Sequence, residues 1–292
     1  MSISESYQSP KGSLFSNSVI SSHLLELGYP EKSINSMLRC GEETGNIVFV
    51  NCRCSSKAVN LKHHCCLRTC PDCAKLRKRK LRNKYLPYLS KIYQDRKNYI
   101  YFLTISPRNY DSLEDGLKKI RKNFNKFIRH NYIKERVKGG LYVIESKQSN
   151  GKWNIHIHAI VYGRWIDNKI RKEKDSKLVS LWKKSSKEDV NIHISRQGST
   201  LFSLNYMLKY ISANKDDFNT PLDMAKYILS TRKMKLISTF GMFFKAKFEI
   251  IKPVCPHCNM QIYFVFDFEV MNIYRDALNR PPDPPDLNHW IP

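Results

Sequence analysis

A strand, turn and strand pattern in the middle of the chain constrains the fold more than any other feature. GLYVIES, residues 140–146, is rich in β-branched and aromatic residues, and SNG at 149–151 supplies turn residues. WNIHIHAIVYG, residues 153–163, then returns as a second strand-forming run. We expect the two runs to pair as a β-hairpin, which makes an antiparallel sheet the expected centre of the fold.

The segments around this hairpin alternate between strand and helix patterns. YIYFLTIS, which begins at Tyr99, predicts a strand that ends at Pro107. Apolar residues then recur at helical intervals between 117 and 128. Beyond the hairpin the patterns predict a short helix at 176–184, a strand at 190–195 and a helix at 199–212. This order is typical of an α+β domain, an antiparallel sheet with flanking helices.

The chain carries a large excess of positive charge. Its 50 Lys and Arg residues outnumber 26 Asp and Glu residues, for a net charge of +24. We expect a nucleic-acid partner rather than a membrane, because no apolar run approaches the roughly 18 residues of a spanning helix. The N-terminus lacks the pattern of a secretory signal, which favours a cytoplasmic location.

Eight of the nine cysteines form close groups along the chain. In a reducing compartment such groups indicate metal sites before disulfides. Cys70 and Cys73 form a C-P-D-C knuckle of the kind zinc favours, and Cys65 with one of Cys52 or Cys54 would complete a tetrahedral set. The competing ligands for this zinc site are His63, His64 and Cys66.

Cys255 and Cys258 form a second half-site, C-P-H-C, whose partners the sequence leaves open. The pair can recruit Cys52 and Cys54 for a second zinc ion, which would leave a histidine to complete the first site, or it can bind no metal. In either case the expected role of zinc is structural.

One basic run follows the first cysteine knuckle directly. KLRKRKLRNKY, residues 75–85, predicts a helix with closely spaced cationic side chains. We expect DNA-phosphate contacts with a strong salt dependence from six of them, Lys75, Arg77, Lys78, Arg79, Lys80 and Arg82.

These features divide the chain into four expected parts. Residues 1–51 form an N-terminal arm, and residues 52–90 form a small zinc-binding module with its basic helix. The α+β domain takes residues 98–250. Residues 251–292 combine the second cysteine knuckle, a strand and a Pro-rich tail that is expected to be disordered.

Two histidines in the second hairpin strand indicate a catalytic metal. Because alternate strand residues share a face, His156 and His158 point the same way while the apolar residues between them point to the core. Glu145 lies in the partner strand at a distance that pairing across the hairpin could close. Two imidazoles and a carboxylate make a three-ligand site with open positions, suited to Mg²⁺ or Mn²⁺ bridging a phosphate.

The helix expected at 199–212 carries two tyrosines on one face. Its opposite face is an aliphatic stripe made of Leu201, Leu204, Leu208 and Ile211. Tyr206 and Tyr210 lie one turn apart outside this stripe, with Lys209 and Lys215 nearby to offset phosphate charge. A tyrosine is a useful nucleophile where the product is a phosphodiester that must be reversible.

Three segments in this order, FLTIS at 102–106, Glu145 with GKWNIHIHAIVYG at 151–163, and YMLKY at 206–210, resemble the motifs of the HUH endonucleases. More closely, the chain resembles the two-tyrosine rolling-circle replication initiators of plasmids and viruses. The CCLRTCPDC segment, residues 65–73, is similar to the zinc-binding region that precedes this domain in archaeal plasmid initiators.

The resemblance implies a ferredoxin-like palm, with His156, His158 and Glu145 as ligands of the catalytic Mg²⁺ or Mn²⁺. It implies Tyr210 and Tyr206 as nucleophiles that become joined to a DNA 5′-phosphate, with Lys209 assisting at the scissile phosphate. The reaction nicks and rejoins single-stranded origin DNA and leaves a 3′-OH primer for host DNA polymerase and helicase.

Two other readings of the sequence stay open. The same chemistry serves HUH-type transposases of single-stranded elements, which cut at element ends rather than at a replication origin. A zinc-dependent DNA-binding regulator without catalysis would instead use the tyrosines only to stack on bases.

Overall fold

The computed structural model describes residues 15–94, 98–164, 166, 175–244, 246, 254–255 and 257–266. The chain forms two compact units, a larger one of Met1–Leu38 and Cys66–Glu249 and a smaller one of Arg39–Cys65 and Ile250–Pro292. The start of the expected arm and the Pro-rich tail lie outside the described residues.

The larger unit combines helices with a five-stranded sheet, so the expected α+β class is confirmed. Its helices are α1 (Asn17–Glu26), α2 (Glu31–Leu38), α3 (Pro71–Tyr93), α4 (Leu113–Ile128), α5 (Asn131–Arg136), α6 (Lys177–Ser186), α7 (Thr200–Met207) and α8 (Pro221–Thr231). Two 3₁₀ turns span Leu208–Ile211 and Lys215–Asp217. Its strands are β3 (Tyr99–Pro107), β4 (Val137–Ser149), β5 (Lys152–Gly163), β6 (Val190–Arg196) and β7 (Ile237–Gly241).

The expected hairpin is the centre of this sheet. Its strand order is β6-β3-β5-β4-β7, and every neighbouring pair is antiparallel. Asn150 and Gly151 form the two-residue turn between β4 and β5, with φ angles of 49° and 71°. Both positive angles suit Asn-Gly, which is why this dipeptide closes the hairpin in one register.

The sheet is covered on both faces. On one face Ile155, Ile157 and Ala159 are fully buried, and four of the apolar residues expected on α4 are buried as well, namely Leu117, Ile120, Phe124 and Phe127. On the other face Phe102, Leu141 and Ile160 join a core that includes residues of α3 and α7. Fully burying a large aliphatic or aromatic side chain stabilises the fold by about 1.5–3 kcal/mol. The imidazole face is therefore also a packed face along much of its length.

The helix expected at 199–212 is shorter and changes type. Helix α7 ends at Met207, and the chain continues as the 3₁₀ turn Leu208–Ile211. The expected aliphatic stripe was wrong at one position, because Leu201 is 40% exposed. Leu201 lies at the edge of the buried face in the first turn, and Met207, fully buried, fills the stripe instead.

The segment before the cysteines contributes two helices to the larger unit. Helix α1 packs on α8, and Leu24, Ile34 and Met37 of α1 and α2 are buried. No helix among the described residues has both the length and the apolar character needed to cross a bilayer.

The smaller unit is a three-stranded antiparallel sheet. Its strands are β1 (Glu43–Asn51), β2 (Ser56–Lys62) and β8 (Tyr263–Phe266), in the order β2-β1-β8. Strand β8 is the strand that the sequence predicts after the second cysteine knuckle.

Candidate metal and tyrosine site

The hairpin register brings three potential metal ligands together. Glu145 on β4 lies directly opposite His156 on β5. Its Oε2 atom is 3.0 Å from Nε2 of His158 and 3.8 Å from Nδ1 of His156. One ligand atom of each residue lies within 4.8 Å of the other two, so this group can hold a metal ion. Two imidazoles and one carboxylate suit a divalent cation with open coordination positions.

A threonine on the neighbouring strand orients one of these imidazoles. Thr104 of β3 pairs in register with His158, and its Oγ1 atom lies 3.3 Å from Nδ1 of the imidazole. Nε2 of the same imidazole faces Glu145, so with a metal bound a hydrogen bond from Nδ1–H to this hydroxyl would leave Nε2 free to bind the ion. Thr104 belongs to the FLTIS segment, but the sequence pattern alone does not indicate its role in the site.

The pKa shifts of Glu145 and His156 favour the protonation states in which these two residues bind metal. Burial lowers the pKa of His156, although the charge of Glu145 opposes this, so the imidazole favours its neutral form. Burial alone would raise the pKa of Glu145, but the hydrogen bond from His158 and the charges of His158 and Lys147 outweigh it. The pKa of Glu145 is therefore lowered, which favours the carboxylate.

A lysine and an aspartate extend the site beyond the residues expected from sequence. Nζ of Lys147 lies 3.3 Å from Glu145 and 3.6 Å from Asp217. The Asp217 carboxylate accepts the backbone N–H of Asn214 at 2.7 Å. Burial raises the pKa of Asp217, with the Asn214 N–H and Lys147 opposing the rise. Strand alternation places Lys147 on the same face as Glu145, so the sequence pattern could have indicated this lysine. Asp217 is brought to the site only by the tertiary fold, which the sequence pattern does not reveal.

Tyr210 lies directly against the metal-ligand group. Its ring stacks on the imidazole of His158 with the ring centroids 3.6 Å apart and the planes 10° from parallel. Tyr206 meets Tyr210 edge to face at 5.5 Å. Burial and a hydrogen bond with Tyr206 raise the pKa of Tyr210 above its usual value. The two phenols expected on one face are therefore neighbours, although a 3₁₀ turn carries the second.

The outer edge of the site is aromatic and basic. Nζ of Lys209 lies 5.0 Å from the ring centroid of Tyr206, which is a cation–π distance. Phe202, which is 65% exposed, lies nearly parallel to Tyr206 at 6.3 Å. Lys215, the second lysine expected to offset phosphate charge, is exposed in the 3₁₀ turn after the tyrosines.

The smaller unit gathers four cysteines. Cys52, Cys54, Cys255 and Cys258 have all their sulfur atoms within 4.8 Å of one another, so they can hold a metal ion. Hydrogen bonds with Ser55 and Cys54 lower the pKa of Cys52 to about 6. The sequence left open whether Cys52 and Cys54 belong with the first cysteine knuckle or with the second. In the structure they lie beside the second, Cys255 and Cys258.

The other cysteines make local contacts of their own. In the smaller unit, Sγ of Cys40 accepts the backbone N–H of Cys65 at 3.4 Å. In the larger unit, Cys70 is the N-cap of α3 and Pro71 begins it, while Sγ of Cys73 accepts the N–H of Cys66 at 3.3 Å. The sequence offered no signal for Cys40, which lies alone in the chain.

The basic helix presents most of its expected cations to solvent. Of the six predicted contacts, Lys75, Arg79, Lys80 and Arg82 are exposed, and Arg77 and Lys78 are half-buried. Arg77 donates from Nη2 to the Cys66 carbonyl at 2.6 Å. This arginine therefore supports the cysteine segment of its own unit, while the exposed four remain predicted DNA contacts.

Together these features define an α+β protein whose central hairpin, β4 and β5, carries a candidate metal-ligand group beside two tyrosines. The family model described as Replication protein, Rep_1, matches residues 56–239, which is more than half of the chain. The chain therefore belongs to this replication protein family. The matched residues include α3, all of β3 to β6 and both tyrosines. No curated protein and no solved structure is detectably similar to the chain.

Proposed function

We propose that the protein initiates rolling-circle replication by nicking and rejoining single-stranded DNA at an origin through a tyrosine–DNA intermediate. The observation that carries this proposal is the stacking of Tyr210 on His158, because it holds a nucleophilic side chain against the metal-ligand group. Membership in the replication protein family supports DNA as the substrate.

Glu145, His156 and His158 fit a Mg²⁺ or Mn²⁺ ion by their donor atoms and spacing. Such an ion, when bound, would polarise the scissile phosphate. Thr104 would hold His158 in the tautomer that presents Nε2. Lys147 and Asp217 would hold Glu145 in place and keep the local charge balanced.

The tyrosines would carry the covalent step. The oxygen of one phenol bonds to the phosphorus, the P–O3′ bond breaks, and the 3′ oxygen takes up a proton and leaves as a primer hydroxyl. The phenol proton passes to solvent. The reverse reaction, with a 3′-OH as the attacking group, restores the DNA strand and the free tyrosine. The bond energy is conserved, so this cycle needs no nucleotide hydrolysis.

Two phenols at one site suit a reaction with two cleavages. Tyr206 is 36% exposed and reachable from solvent, whereas Tyr210 is half-buried beside His158. While one tyrosine holds the first DNA end, the other can cut the regenerated origin. The 3′-OH left by the first cut would be extended by host DNA polymerase, with a host helicase opening the duplex.

The surroundings of the tyrosines suit single-stranded DNA. The exposed rings of Phe202 and Tyr206 offer faces on which bases can stack, and Lys209 is positioned to offset phosphate charge. The exposed cations of α3 add a surface for phosphates. This combination of aromatic rings and cations is typical of sites that bind unpaired nucleotides.

We also propose a structural zinc ion at the first cysteine knuckle. Cys70 is the N-cap of α3 and Cys73 lies in its first turn, so the C-P-D-C segment offers two sulfur donors at the start of this helix. The zinc would stabilise the start of the basic helix α3.

A strand-transfer assay tests the proposed function. Single-stranded oligonucleotides tiled across the replicon that encodes the chain are mixed in pairs, one of each pair labelled, with Mn²⁺ or Mg²⁺. A labelled product of new length that requires the metal is expected, and His156→Ala should abolish it while His23→Ala, in α1, should not. Cleavage at element ends rather than at an origin would favour the transposase, and binding without any exchange would favour a non-catalytic regulator.

A further inference from the structure

Two segments separated by about two hundred positions bring four cysteines together in the smaller unit. Cys52 and Cys54 lie in the turn between β1 and β2, and Cys255 and Cys258 lie just before β8. The sulfur atoms of Cys52 and Cys54 are 3.3 Å apart, and those of Cys54 and Cys255, 201 positions apart, are 3.6 Å apart. All four sulfurs fall within one metal-sized cluster.

The sheet register explains why these two segments meet. Asn51, at the end of β1, pairs with Ser56 of β2 on one side and with Tyr263 of β8 on the other. The β1–β2 turn and the residues that lead into β8 are therefore at the same end of the sheet. The pairing of β1 with β2 and with β8 therefore brings the four cysteines together.

The C-terminal pair has the backbone of a metal knuckle. The N–H of Cys255 donates to the Met260 carbonyl at 2.8 Å, and the N–H of Asn259 donates to the Cys255 carbonyl at 2.9 Å. Asn259 adopts a left-handed conformation with φ of 55°, which tightens the turn after Cys258. The sulfur atoms of Cys255 and Cys258 accordingly lie within 4.8 Å of each other.

We infer that Cys52, Cys54, Cys255 and Cys258 form a structural zinc site of the smaller unit. The sulfur separations are far longer than the roughly 2.05 Å of a disulfide bond. Four sulfur donors within mutual reach are the set that structural zinc prefers, in tetrahedral geometry. All four cysteines lie outside residues 56–239, so the family match does not assign this site.

The site has a consequence for the smaller sheet. In the described part of the chain, strand β8 has four residues, and it is held to β1 by four residue pairs. An edge strand of this length gains little from pairing alone. A zinc ion shared by the β1–β2 turn and the knuckle would hold β8 in register, so loss of the metal should release β8 first. This inference rests on the cysteine geometry and does not depend on the proposed nicking activity.

Metal analysis of the purified full-length protein tests the inference without any DNA. We expect the double variant Cys255→Ser/Cys258→Ser to bind one zinc ion fewer per chain than the wild type. His257→Ala, which alters an exposed histidine between the two cysteines of the knuckle, should leave the zinc content unchanged. Equal zinc contents in the wild type and the double variant would overturn the proposal.

Two further measurements, on single variants and on the wild type, cover the case in which the double variant fails to fold. Cys258→His keeps a zinc-binding side chain and should retain the ion that Cys258→Ser loses. Alkylation of the wild type after chelation and denaturation without reductant should modify all nine cysteines. Two unmodified cysteines from this cluster would reveal a disulfide and overturn the zinc assignment.

The role of the metal in holding β8 has its own test. Hydrogen exchange of Tyr263–Phe266 should accelerate on chelation, and unchanged protection would contradict this role.

Discussion

Tyr210 stacks on His158 at 3.6 Å, so the proposed nucleophile and a candidate metal ligand share one contact surface. The contact joins two elements from different parts of the chain, the central strand β5 and the 3₁₀ turn after α7. Removing the ring of Tyr210 would therefore expose His158 as well as remove the proposed nucleophile. Replacement by Phe keeps the stack and deletes only the hydroxyl.

Thr104 is predicted to act through His158. Thr104→Val keeps the shape of the side chain but removes the oxygen 3.3 Å from Nδ1. Loss of such an outer contact typically weakens metal binding by about 10–100-fold. Titration of the protein with Mn²⁺ should show a loss of this size for Thr104→Val and little change for Thr104→Ser. Equal affinities for Thr104→Val and the wild type would mean that the hydroxyl does not orient the imidazole.

Phe202 is predicted to stack on an unpaired base. A base–aromatic stack contributes about 1–3 kcal/mol, so Phe202→Ala should weaken single-stranded DNA binding by about 5–150-fold. Phe202 is 65% exposed, so thermal stability should change little. Leu201→Ala, at a neighbouring position that is 40% exposed, is the matched control for both measurements. If both variants bind DNA like the wild type, bases do not stack at Phe202.

The exposed cations of α3 should determine much of the salt dependence of DNA binding. Each lost phosphate contact lowers the slope of log affinity against log salt by about 0.7 for single strands. Lys80→Gln and Arg82→Gln should each lower the slope by about this amount. Arg77→Gln should instead destabilise the protein, because it removes the hydrogen bond to the Cys66 carbonyl. A slope unchanged in the Lys80→Gln/Arg82→Gln double variant would exclude this helix face as a phosphate surface.

The buried tyrosine of α8 should make stability depend on alkaline pH. Burial raises the pKa of Tyr227 to about 12, above the 10.0 of an exposed phenol. The folded state therefore holds this proton more tightly, and the stability from Tyr227 is complete below pH 10 and is lost as pH rises towards 12. Urea unfolding between these pH values should show a smaller loss for Tyr227→Phe than for the wild type. Parallel pH profiles would contradict the assigned pKa.

Local patterns predicted the central part of the site. Alternation along β5 places His156 and His158 on one face, and the Asn150–Gly151 turn sets the register that brings Glu145 opposite His156. These features depend on a few residues that are close in sequence. They could be read before any tertiary contact was known.

The missing parts depend on contacts between distant segments. Asp217 reaches Lys147 only after the chain has passed through α7 and its 3₁₀ turn. Cys52 and Cys54 meet Cys255 through the pairing of β8 with β1, which a four-residue strand does not reveal in the sequence. The sequence supplied candidates for the cysteine groups but no means of pairing them.

The most direct test of the account is the detection of a covalent protein–DNA adduct on a denaturing gel. The oligonucleotide comes from the native replicon and carries its label on the 3′ side of the cut, with Mn²⁺ present. The wild type should become labelled, Tyr206→Phe and Tyr210→Phe should rank the two phenols, and the double variant should form no adduct. Tyr93→Phe, which alters an exposed tyrosine of α3, should react like the wild type. Cleavage of this DNA without an adduct, or an adduct that persists in the double variant, would contradict the tyrosine mechanism.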